Sequence, residues 1–328
     1  MKYDFIAIGD ATTDAFIKIK DASVNCDINR EHCKICLNFG DKVPYKNVTV
    51  VPAVGNSPNA AVSAARLGLK SALISNIGDD MQGKECLDAL TKQKVGTEFI
   101  TAHKDRKTNY HYVLWYEDDR TILIKHESYN YSFPDLEPPA WMYLSSLGEN
   151  ATAYHEEIEK YLKKNPQINL AFQPGTFQMK LGVKNLAGIY ARTKVFFCNK
   201  EEAERILSLP STDIKVLLRA IRALGPEIVV ITDGPLGAYV HEDDTMWKMP
   251  IYPDPKPPFE RTGAGDAFSS TFTVALALGL PVTDALRWGP VNSMSVVQKI
   301  GAQAGLLTRE EIEGYLASAP SHYKPEQI

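Results

Sequence analysis

Short apolar runs alternate with stretches of helical periodicity along most of the chain. The runs are rich in β-branched and aromatic residues, as is typical of strands buried on both faces; they cover residues 5–9, 72–77, 168–172, 195–198 and 228–231. Between them lie helical patterns at 60–69, at 81–90 and at Tyr154, Ile158, Tyr161 and Leu162, which have the spacing of one buried helix face. Strands that alternate with helices predict an α/β fold with a mostly parallel sheet.

Two further segments alternate apolar and polar residues without a helical pattern. They are residues 15–50 and 105–130, and within the second, positions 107–126 predict a hairpin with its turn at 117–120. Antiparallel strands of this kind do not belong in a doubly wound sheet, so we expect a small separate sheet. It would form a lid over an α/β domain made of residues 1–14, 51–104 and 131–328. The alternative is a decorative or dimerising β-flap.

The composition is that of an ordinary globular protein: of 328 residues, 44% are hydrophobic and 23% are charged. The formal net charge of −4, without any basic run, argues against nucleic-acid binding. No apolar stretch reaches the ~18–20 residues of a membrane helix. The strand pattern starts within the first residues and leaves no room for a signal peptide. We therefore expect a cytoplasmic protein with neither nucleic-acid nor membrane partners.

The cysteines allow two interpretations. Their number, five, is odd and does not resemble a secreted disulfide framework. Cys26, His32, Cys33 and Cys36 could supply four zinc ligands, but the second CxxC or HxxxH pair of a typical zinc site is missing. Free thiols are therefore favoured over a zinc site.

The candidate chemistry is concentrated in residues 261–268, which read Arg-Thr-Gly-Ala-Gly-Asp-Ala-Phe and precede an apolar stretch. Small residues at a helix start let an anion approach the unpaired backbone N–H groups, so this turn can bind phosphate. Asp266 then lies in the first helical turn, where a carboxylate can take a proton from an attacking hydroxyl. The segment favours phosphoryl transfer to an alcohol. A plain glycine-rich turn with a helix-stabilising aspartate is the alternative.

Residues 78–85 resemble a P-loop in spacing only. They have the GxxxxGK pattern, but Glu85 stands where a Ser or Thr would hold Mg²⁺. Two aspartates in the loop would also repel phosphate. We interpret the segment as a strand-to-helix turn in which Asp80 is the helix N-cap.

Further polar and glycine residues follow predicted strands or begin predicted helices. Asp10 and Asp14 follow the first strand, where open α/β sheets bind ligands, although they could also be turn residues. The other candidates, which could be ordinary caps or turns, are Gly55, Asn56 and Asn59; Asn199 and Glu202; and Thr232, Gly234 and Gly237.

In this order the segments resemble the ribokinase-like (PfkB) carbohydrate kinase family. The likeness covers nearly the whole chain, with the turn at 263–266 as its most specific motif, and Gly301 and Ala302 match a late Gly-Ala of the family. The resemblance implies a Rossmann-like three-layer αβα sandwich with a small β-sheet lid. It also implies an ATP- and Mg²⁺-dependent kinase that phosphorylates a primary hydroxyl of a sugar or sugar-like alcohol. A nucleoside kinase of the same fold is the alternative.

The resemblance assigns a role to each candidate residue. Asp266 would be the general base, and the N–H groups of Gly263, Ala264 and Gly265 would stabilise the transferred phosphoryl group. The remaining roles are acceptor binding by Asp14, Gly55, Asn56 and Asn59; organisation of Mg²⁺ and phosphates by Asn199 and Glu202, with Glu202 reaching the metal through water; and ATP binding by Thr232, Gly234, Gly237 and Asn292.

Departures from the family leave the acceptor and the ion requirement open. Val54 stands where the family usually has Gly, and Asn56 where ribokinases have Lys. The family's Asp-Pro-Asn is Gln-Pro-Gly here, at residues 173–175. Glu260 and Arg261 replace an Asp-Thr pair that helps many members bind a monovalent cation, so a K⁺ requirement stays open.

The predicted lid bears on both the acceptor and the oligomeric state. Its open sheet edges favour a homodimer. Its aromatic residues could stack on a nucleobase, as a nucleoside kinase would require, or could form the lid core; they include Phe16, Phe39, Tyr110 and Tyr112.

Overall fold

The computed structural model describes residues 2–26, 33–117, 119–210 and 212–328. The strands within these residues are β1 (Phe5–Ile8), β2 (Thr12–Ile19), β3 (Ser23–Asn25), β4 (Lys34–Cys36), β5 (Tyr45–Val54), β6 (Ser71–Gly78), β7 (Ile100–His103), β8 (Asn109–Tyr116), β9 (Asp119–Leu123), β10 (Trp141–Leu144), β11 (Asn169–Phe172), β12 (Thr193–Asn199), β13 (Ile228–Thr232), β14 (Ala238–Glu242), β15 (Thr245–Met249) and β16 (Glu326–Gln327). The α-helices are α1 (Asn56–Arg66), α2 (Met81–Lys92), α3 (Thr152–Lys164), α4 (Thr176–Leu181), α5 (Ala187–Arg192), α6 (Lys200–Leu207), α7 (Ile214–Arg222), α8 (Ala264–Ala277), α9 (Val282–Val296) and α10 (Arg309–Ala317). Among these helices, none has the length and apolar composition needed to cross a lipid bilayer.

The central sheet has the strand order β16-β15-β14-β13-β12-β11-β10-β1-β6-β7. The strands from β13 to β7 run parallel, and β14, β15 and β16 continue the sheet with antiparallel pairing. The carboxyl ends of parallel strands lie along one edge, and open α/β sheets bind their ligands there. Asp10 follows β1, Asn199 ends β12 and Thr232 ends β13, so these three lie at this edge.

Each face of the central sheet has its own hydrophobic core. Along β1, Phe5 and Ala7 contribute to one core, and Ile6 and Ile8 contribute to the other, as the two-residue period of a strand requires. Helices α1, α2, α8 and α9 pack on the first face, and α3, α5 and α7 pack on the second. The predicted three-layer αβα sandwich is therefore confirmed.

A smaller sheet with the order β5-β2-β8-β9 forms the lid. β2 runs antiparallel to β5 and parallel to β8, and β8 and β9 form the predicted hairpin. Asp118, in the turn of that hairpin, lies outside the described residues. Strand β2 starts at Thr12 and β5 ends at Val54, so Asp14 lies within the lid sheet. The domain boundaries themselves stay a prediction.

Strands β3 and β4 pair as a short antiparallel ribbon beside the lid sheet. Cys26 and Cys33 form a disulfide bond at its end. Both sequence-based interpretations of this pair were therefore wrong, because a disulfide sulfur is neither a free thiol nor a zinc ligand. His32 lies outside the described residues, and within the described ones Cys36 is free and no group of three or more His, Cys, Asp or Glu side chains could hold a metal.

Asp80 connects helix α2 to the lid. It is the N-cap of α2, as predicted, and accepts a hydrogen bond from the Gly83 N–H at 2.9 Å. The same carboxylate accepts hydrogen bonds from the backbone N–H (3.0 Å) and the hydroxyl (2.6 Å) of Thr108, just before β8. Desolvation acts to raise the pKa of Asp80, but these hydrogen bonds outweigh it and the pKa is lowered.

We expect Asp80→Ala to lower the free energy of unfolding by about 1–3 kcal/mol, because three hydrogen bonds are lost and one of them is the helix cap. The folded pKa lies below the unfolded value of about 4. The difference from wild type should therefore be complete above that value and shrink as pH falls through the folded pKa. Urea denaturation of both proteins at several pH values measures it. Asp79→Ala, at an exposed side chain, is the control, and equal losses from the two substitutions would contradict the prediction.

Candidate active site

Helix α8 begins at the glycine-rich turn that the sequence singled out. Gly263 is its N-cap, with a left-handed backbone (φ 82°) that favours glycine. A Cβ at this position would lie 2.2 Å from the Cβ of Ala302, so the turn packs directly on that residue. At Gly265 a Cβ would meet no atom within 4 Å, and this residue lines a cavity. The first turn of α8, whose N–H groups have no partner within the helix, therefore borders an open space, as anion binding requires.

Asp266 lies in this first turn, and three side-chain amides hold its carboxylate. Asn56 Nδ2 donates to Oδ1 at 2.8 Å and Asn59 Nδ2 donates to Oδ2 at 2.8 Å. Gln173 Nε2 donates to Oδ1 at 3.2 Å. Desolvation raises the pKa of Asp266, the amides oppose this, and the charge of Asp14 adds to the rise, so the pKa is raised overall. A raised pKa suits a carboxylate that must accept a proton near neutral pH.

Gln173 does not appear among the predicted site residues, although it follows β11 at the ligand-binding edge of the sheet. Its Oε1 accepts hydrogen bonds from the Tyr143 hydroxyl and, at 3.1 Å, from Ser269 Oγ. The amide nitrogen is thereby left to face Asp266. The other two amides, of Asn56 and Asn59, come from α1. Both residues were predicted to bind the acceptor, whereas in this structure their amides contact Asp266.

Gly55 brings α1 into this position. Its backbone has φ 118°, and a Cβ there would lie 2.9 Å from the carbonyl oxygen of Asp10. The close approach lets the helix begin at Asn56, next to the strand end that carries Asp10. Asn59 is then fixed by Gln303, whose Nε2 donates to Asn59 Oδ1 at 3.0 Å. The contribution of Gly55 seen here is therefore conformational.

Two further carboxylates lie near Asp266, one within the lid sheet and one just before it. Asp14 Oδ1 on β2 is 3.4 Å from His111 Nδ1 on β8. Asp10 accepts hydrogen bonds from the Tyr131 hydroxyl at 3.0 and 2.8 Å, and its Oδ2 is 3.4 Å from His126 Nδ1. Both carboxylates are buried. The two histidines were missed by sequence reasoning.

The strand alternation of β8 could have revealed His111. It is paired in register with Asp14 of β2, so the two share a face of the lid. Tyr110 and Tyr112, which flank it, lie on the opposite face, and Phe39 is fully exposed. These three aromatic residues are therefore not placed to stack on a ligand beside Asp14.

A cavity of about 570 Å³ borders the start of α8. Pockets of this size accommodate small-molecule ligands and cofactors. Apolar residues of α9 and its C-terminal end, such as Met294 and Val297, form part of the wall. The predicted residues that line it are Asn199, Thr232, Gly234, Gly237, Ala264 and Gly265.

Asn199 and Glu202 form a capping box at the start of α6. The Glu202 N–H donates to Asn199 Oδ1 at 2.8 Å, and the Asn199 N–H donates to Glu202 Oε2 at 2.9 Å. Desolvation raises the pKa of Glu202; the hydrogen bond from Asn199 opposes this and the charge of Asp266 adds to it. A divalent cation would relieve the repulsion between these two carboxylates, so the residues fit a Mg²⁺ held by Glu202 through water.

Asn292 is not at the cavity, contrary to the prediction that it contacts ATP. It is fully buried in α9. Its Nδ2 donates to Thr271 Oγ1 at 2.7 Å, and its Oδ1 accepts a hydrogen bond from the Leu307 N–H at 2.9 Å. The amide is thus used to join α9 to α8 and to the Leu307 segment. The neighbouring residues Ser293 and Met294 line the cavity instead.

The lid contacts the α8 turn through Arg120 on β9. Its Nε donates to Thr262 Oγ1 at 3.0 Å and lies 3.5 Å from Glu260 Oε1. Glu260 is buried and also accepts a hydrogen bond from the Thr262 N–H at 2.8 Å. The buried carboxylate of Glu260 therefore has a guanidinium partner in Arg120. Arg261 is exposed and lines the cavity.

Comparison with known proteins identifies the family of this chain. The family model described as pfkB family carbohydrate kinase matches residues 19–309. A ribokinase of Bacillus subtilis is 27% identical over 285 residues, 85% of this chain and 92% of that protein. A nucleoside kinase of Methanothermobacter thermautotrophicus is 25% identical over 256 residues, 77% of this chain and 80% of that protein. The chain therefore belongs to the PfkB carbohydrate kinase family, as its motifs predicted.

The fold has close counterparts among solved structures. The structure of Arabidopsis thaliana ribokinase complexed with ribose and ATP has a TM-score of 0.79 with this chain, at 18% identity. The comparison covers 96% of this chain and 99% of that one. The predicted ribokinase-like fold is confirmed.

We expect Gly263→Ala and Gly265→Ala to separate folding from nucleotide binding. The first substitution forces a methyl group against Ala302 at an unfavourable φ, so it should lower the free energy of unfolding by about 1–3 kcal/mol. The second adds a methyl group that fits the fold but enters the cavity. It should not lower the free energy of unfolding, because Ala suits a helix better than Gly does, and it should raise the Kd for ADP by roughly 10-fold or more. Thermal unfolding and calorimetric titration with Mg-ADP measure both effects. Wild-type ADP affinity in Gly265→Ala would contradict this assignment of the cavity.

Proposed function

We propose that this chain transfers the γ-phosphoryl group of ATP to a primary hydroxyl group of a sugar or sugar-like alcohol. The observation that carries the proposal is the position of Asp266. It shares a helical turn with Ala264 and Gly265, which line the cavity, and lies close enough to Asp14 for the two charges to interact. A proton acceptor is thus placed between a nucleotide-sized cavity and a polar site beneath the lid. Membership of the PfkB carbohydrate kinase family supports this proposed activity.

The reaction needs one proton acceptor and one site for phosphate charge. As the acceptor oxygen attacks the γ-phosphorus, its proton passes to Asp266. A new O–P bond forms, and the bond to the oxygen that bridges the β- and γ-phosphates breaks, so ADP leaves with that electron pair. The N–H groups of Gly263, Ala264 and Gly265 stabilise the charge on the transferred group. The three amides around Asp266 fix the direction in which its carboxylate points.

The nucleotide and metal roles follow from the cavity. Thr232, Gly234 and Gly237 border the space that would receive ATP. Bound Mg²⁺ would neutralise phosphate charge, and Glu202, held by its capping box with Asn199, is the residue that would bind it through water. ATP as the donor agrees with the relative solved with ribose and ATP.

A nucleoside is the second candidate acceptor, and one observation favours it. The rings of His111, His126 and Phe177 lie edge to face or tilted beside Asp10 and Asp14, with centroids 5.3–5.4 Å apart. Such a wall could pack against a nucleobase. ADP production with pentoses, hexoses, polyols and nucleosides distinguishes the two classes of acceptor. The assay is run with and without K⁺. It tests whether turnover needs this ion when Arg120 already places a positive charge beside Glu260.

We expect Asp266→Asn to lower turnover at least ~10²-fold, because the variant has no group to accept the acceptor's proton. Mg-ADP affinity should stay within about 3-fold of wild type. Steady-state assays and calorimetric titration measure the two quantities.

Turnover by the wild type should also fall as pH decreases through the raised pKa of Asp266, since a protonated carboxyl cannot accept a proton.

Asp88→Asn, at an exposed carboxylate on α2, is the matched control and should behave like wild type. Undiminished turnover in Asp266→Asn would remove the central claim of the proposal. Loss of ADP binding in that variant would instead indicate that Asp266 supports the nucleotide cavity.

We also propose that the chain forms a homodimer through the lid. Val50, Ala15, Tyr112 and Leu123 form one row across the sheet, and three of them are 47–50% exposed. An exposed apolar row with open strand edges favours pairing with a second copy. Analytical ultracentrifugation should therefore show a dimer that Val50→Lys shifts toward monomer, whereas Val24→Lys on the separate ribbon does not. A monomeric wild type would exclude the dimer.

We also propose that the protein is located in the cytoplasm, which cell fractionation would test.

A further inference from the structure

A row of residues on the inner face of the lid combines a carboxylate with an imidazole. Asp14 of β2 is paired in register with Val51 of β5 and with His111 of β8. Residues paired in this way project from the same face of the sheet. Two positions further along β2 and β8, Phe16 and Val113 are buried. This face is therefore turned toward the α/β domain.

The two polar groups of this row do not satisfy each other. Asp14 Oδ1 and His111 Nδ1 are 3.4 Å apart, which is long for a hydrogen bond. Asp14 Oδ1 and His111 Nε2 have no hydrogen-bond partner among the described residues, although only 10% and 11% of the two side chains are exposed. Buried polar atoms are nearly always paired, because an unpaired one is costly. These two atoms are therefore suited to bind a ligand.

Hydroxyl groups match both atoms. A carboxylate oxygen accepts hydrogen bonds, whereas imidazole Nε2 either donates or accepts, depending on its tautomer. A hydroxyl group can do both, so it can pair with Asp14 and with either tautomer of His111. Because Asp14 and His111 are neighbours in one row, hydroxyls on adjacent carbons of one ligand can reach both.

The charges around this row disfavour an anionic ligand. His126, whose ring centroid is 5.4 Å from that of His111, lies against Asp10. The charge of Asp14 contributes to the raised pKa of Asp266, so these two carboxylates are also close. A phosphate or carboxylate group on the acceptor would add negative charge beside Asp10, Asp14 and Asp266.

We infer that His111 is a specificity-determining residue that binds, together with Asp14, two neighbouring hydroxyl groups of an uncharged polyhydroxylated acceptor. The inference rests on the kinase function proposed above. It concerns hydroxyls that are held in place, and the hydroxyl that receives the phosphoryl group is a different one, beside Asp266. It makes the lid strand β8 a part of the acceptor site.

The test compares ligands that differ by one hydroxyl or one phosphate group. Wild type and variants of the full chain are titrated calorimetrically in the presence of Mg-ADP. The ligands are D-ribose and 2-deoxy-D-ribose; adenosine with 2′- and 3′-deoxyadenosine; and D-fructose and D-fructose 6-phosphate. The variants are His111→Phe, which keeps a ring but has no polar side-chain atom, and His111→Gln, which replaces the ring with an amide that can donate and accept hydrogen bonds.

We expect wild type to bind D-ribose or adenosine roughly 10-fold or more tightly than a deoxy partner, and to bind D-fructose 6-phosphate no more tightly than D-fructose. In His111→Phe the preference over the deoxy partner should fall at least about 5-fold, and His111→Gln should restore part of it. Mg-ADP affinity should be unchanged in both variants. Tyr112→Phe, on the opposite face of the same strand, is the control and should keep the preference.

Three results would overturn the inference: an unchanged preference in His111→Phe, tighter binding of the phosphorylated sugar, or no binding of any uncharged ligand by wild type. The kinase proposal is tested separately by ADP production with the same ligands. Binding with the expected preference but without turnover would contradict the kinase proposal and still support the role of His111. Turnover together with an unchanged preference in His111→Phe would support the kinase proposal and contradict the role of His111.

Discussion

Three side-chain amides hold the carboxylate of Asp266 at the start of α8, and much of the site geometry depends on these hydrogen bonds. Two come from α1 and one from the loop after β11. A partly buried carboxylate needs such partners, because a charge taken out of water is costly unless it is hydrogen-bonded. Helix α1, helix α8 and the carboxyl edge of the sheet must therefore keep fixed relative positions. The contacts that orient the proposed base also connect the elements that carry it.

The topology of the chain explains why the lid covers this point. Strands β2 and β5 are inserted between β1 and α1, directly after a parallel strand reaches the ligand-binding edge of the sheet. Strand β8 enters after β7 through Thr108, which the carboxylate of Asp80 binds. Arg120 on β9 then reaches Thr262. The lid thus contacts the α/β domain at α2 and at the turn before α8, on either side of the region where Asp14 and His111 face inward.

Local patterns predicted part of the fold, namely elements whose causes are local. The apolar runs became parallel strands of the central sheet, and the helix face of Tyr154, Ile158 and Leu162 is buried in α3. Asp80 was recognised as a cap because its role depends on residues within one helical turn. The role of Asn292 was predicted incorrectly because sequence spacing does not say whether a polar residue of α9 faces the cavity or the core.

The sequence by itself determined the α/β class, the separate lid sheet, the glycine-rich start of α8 and the family, since these depend on periodicity and on motifs within short segments. Only the tertiary structure decided which groups surround Asp266. Asn56 lies 210 residues from it in the chain, and Gln173 lies 93 residues away. The pairing of Asp14 with His111 likewise depends on the register of two strands that are far apart in sequence. Contacts over such separations arise from the packing of whole layers, which no local pattern of residues specifies.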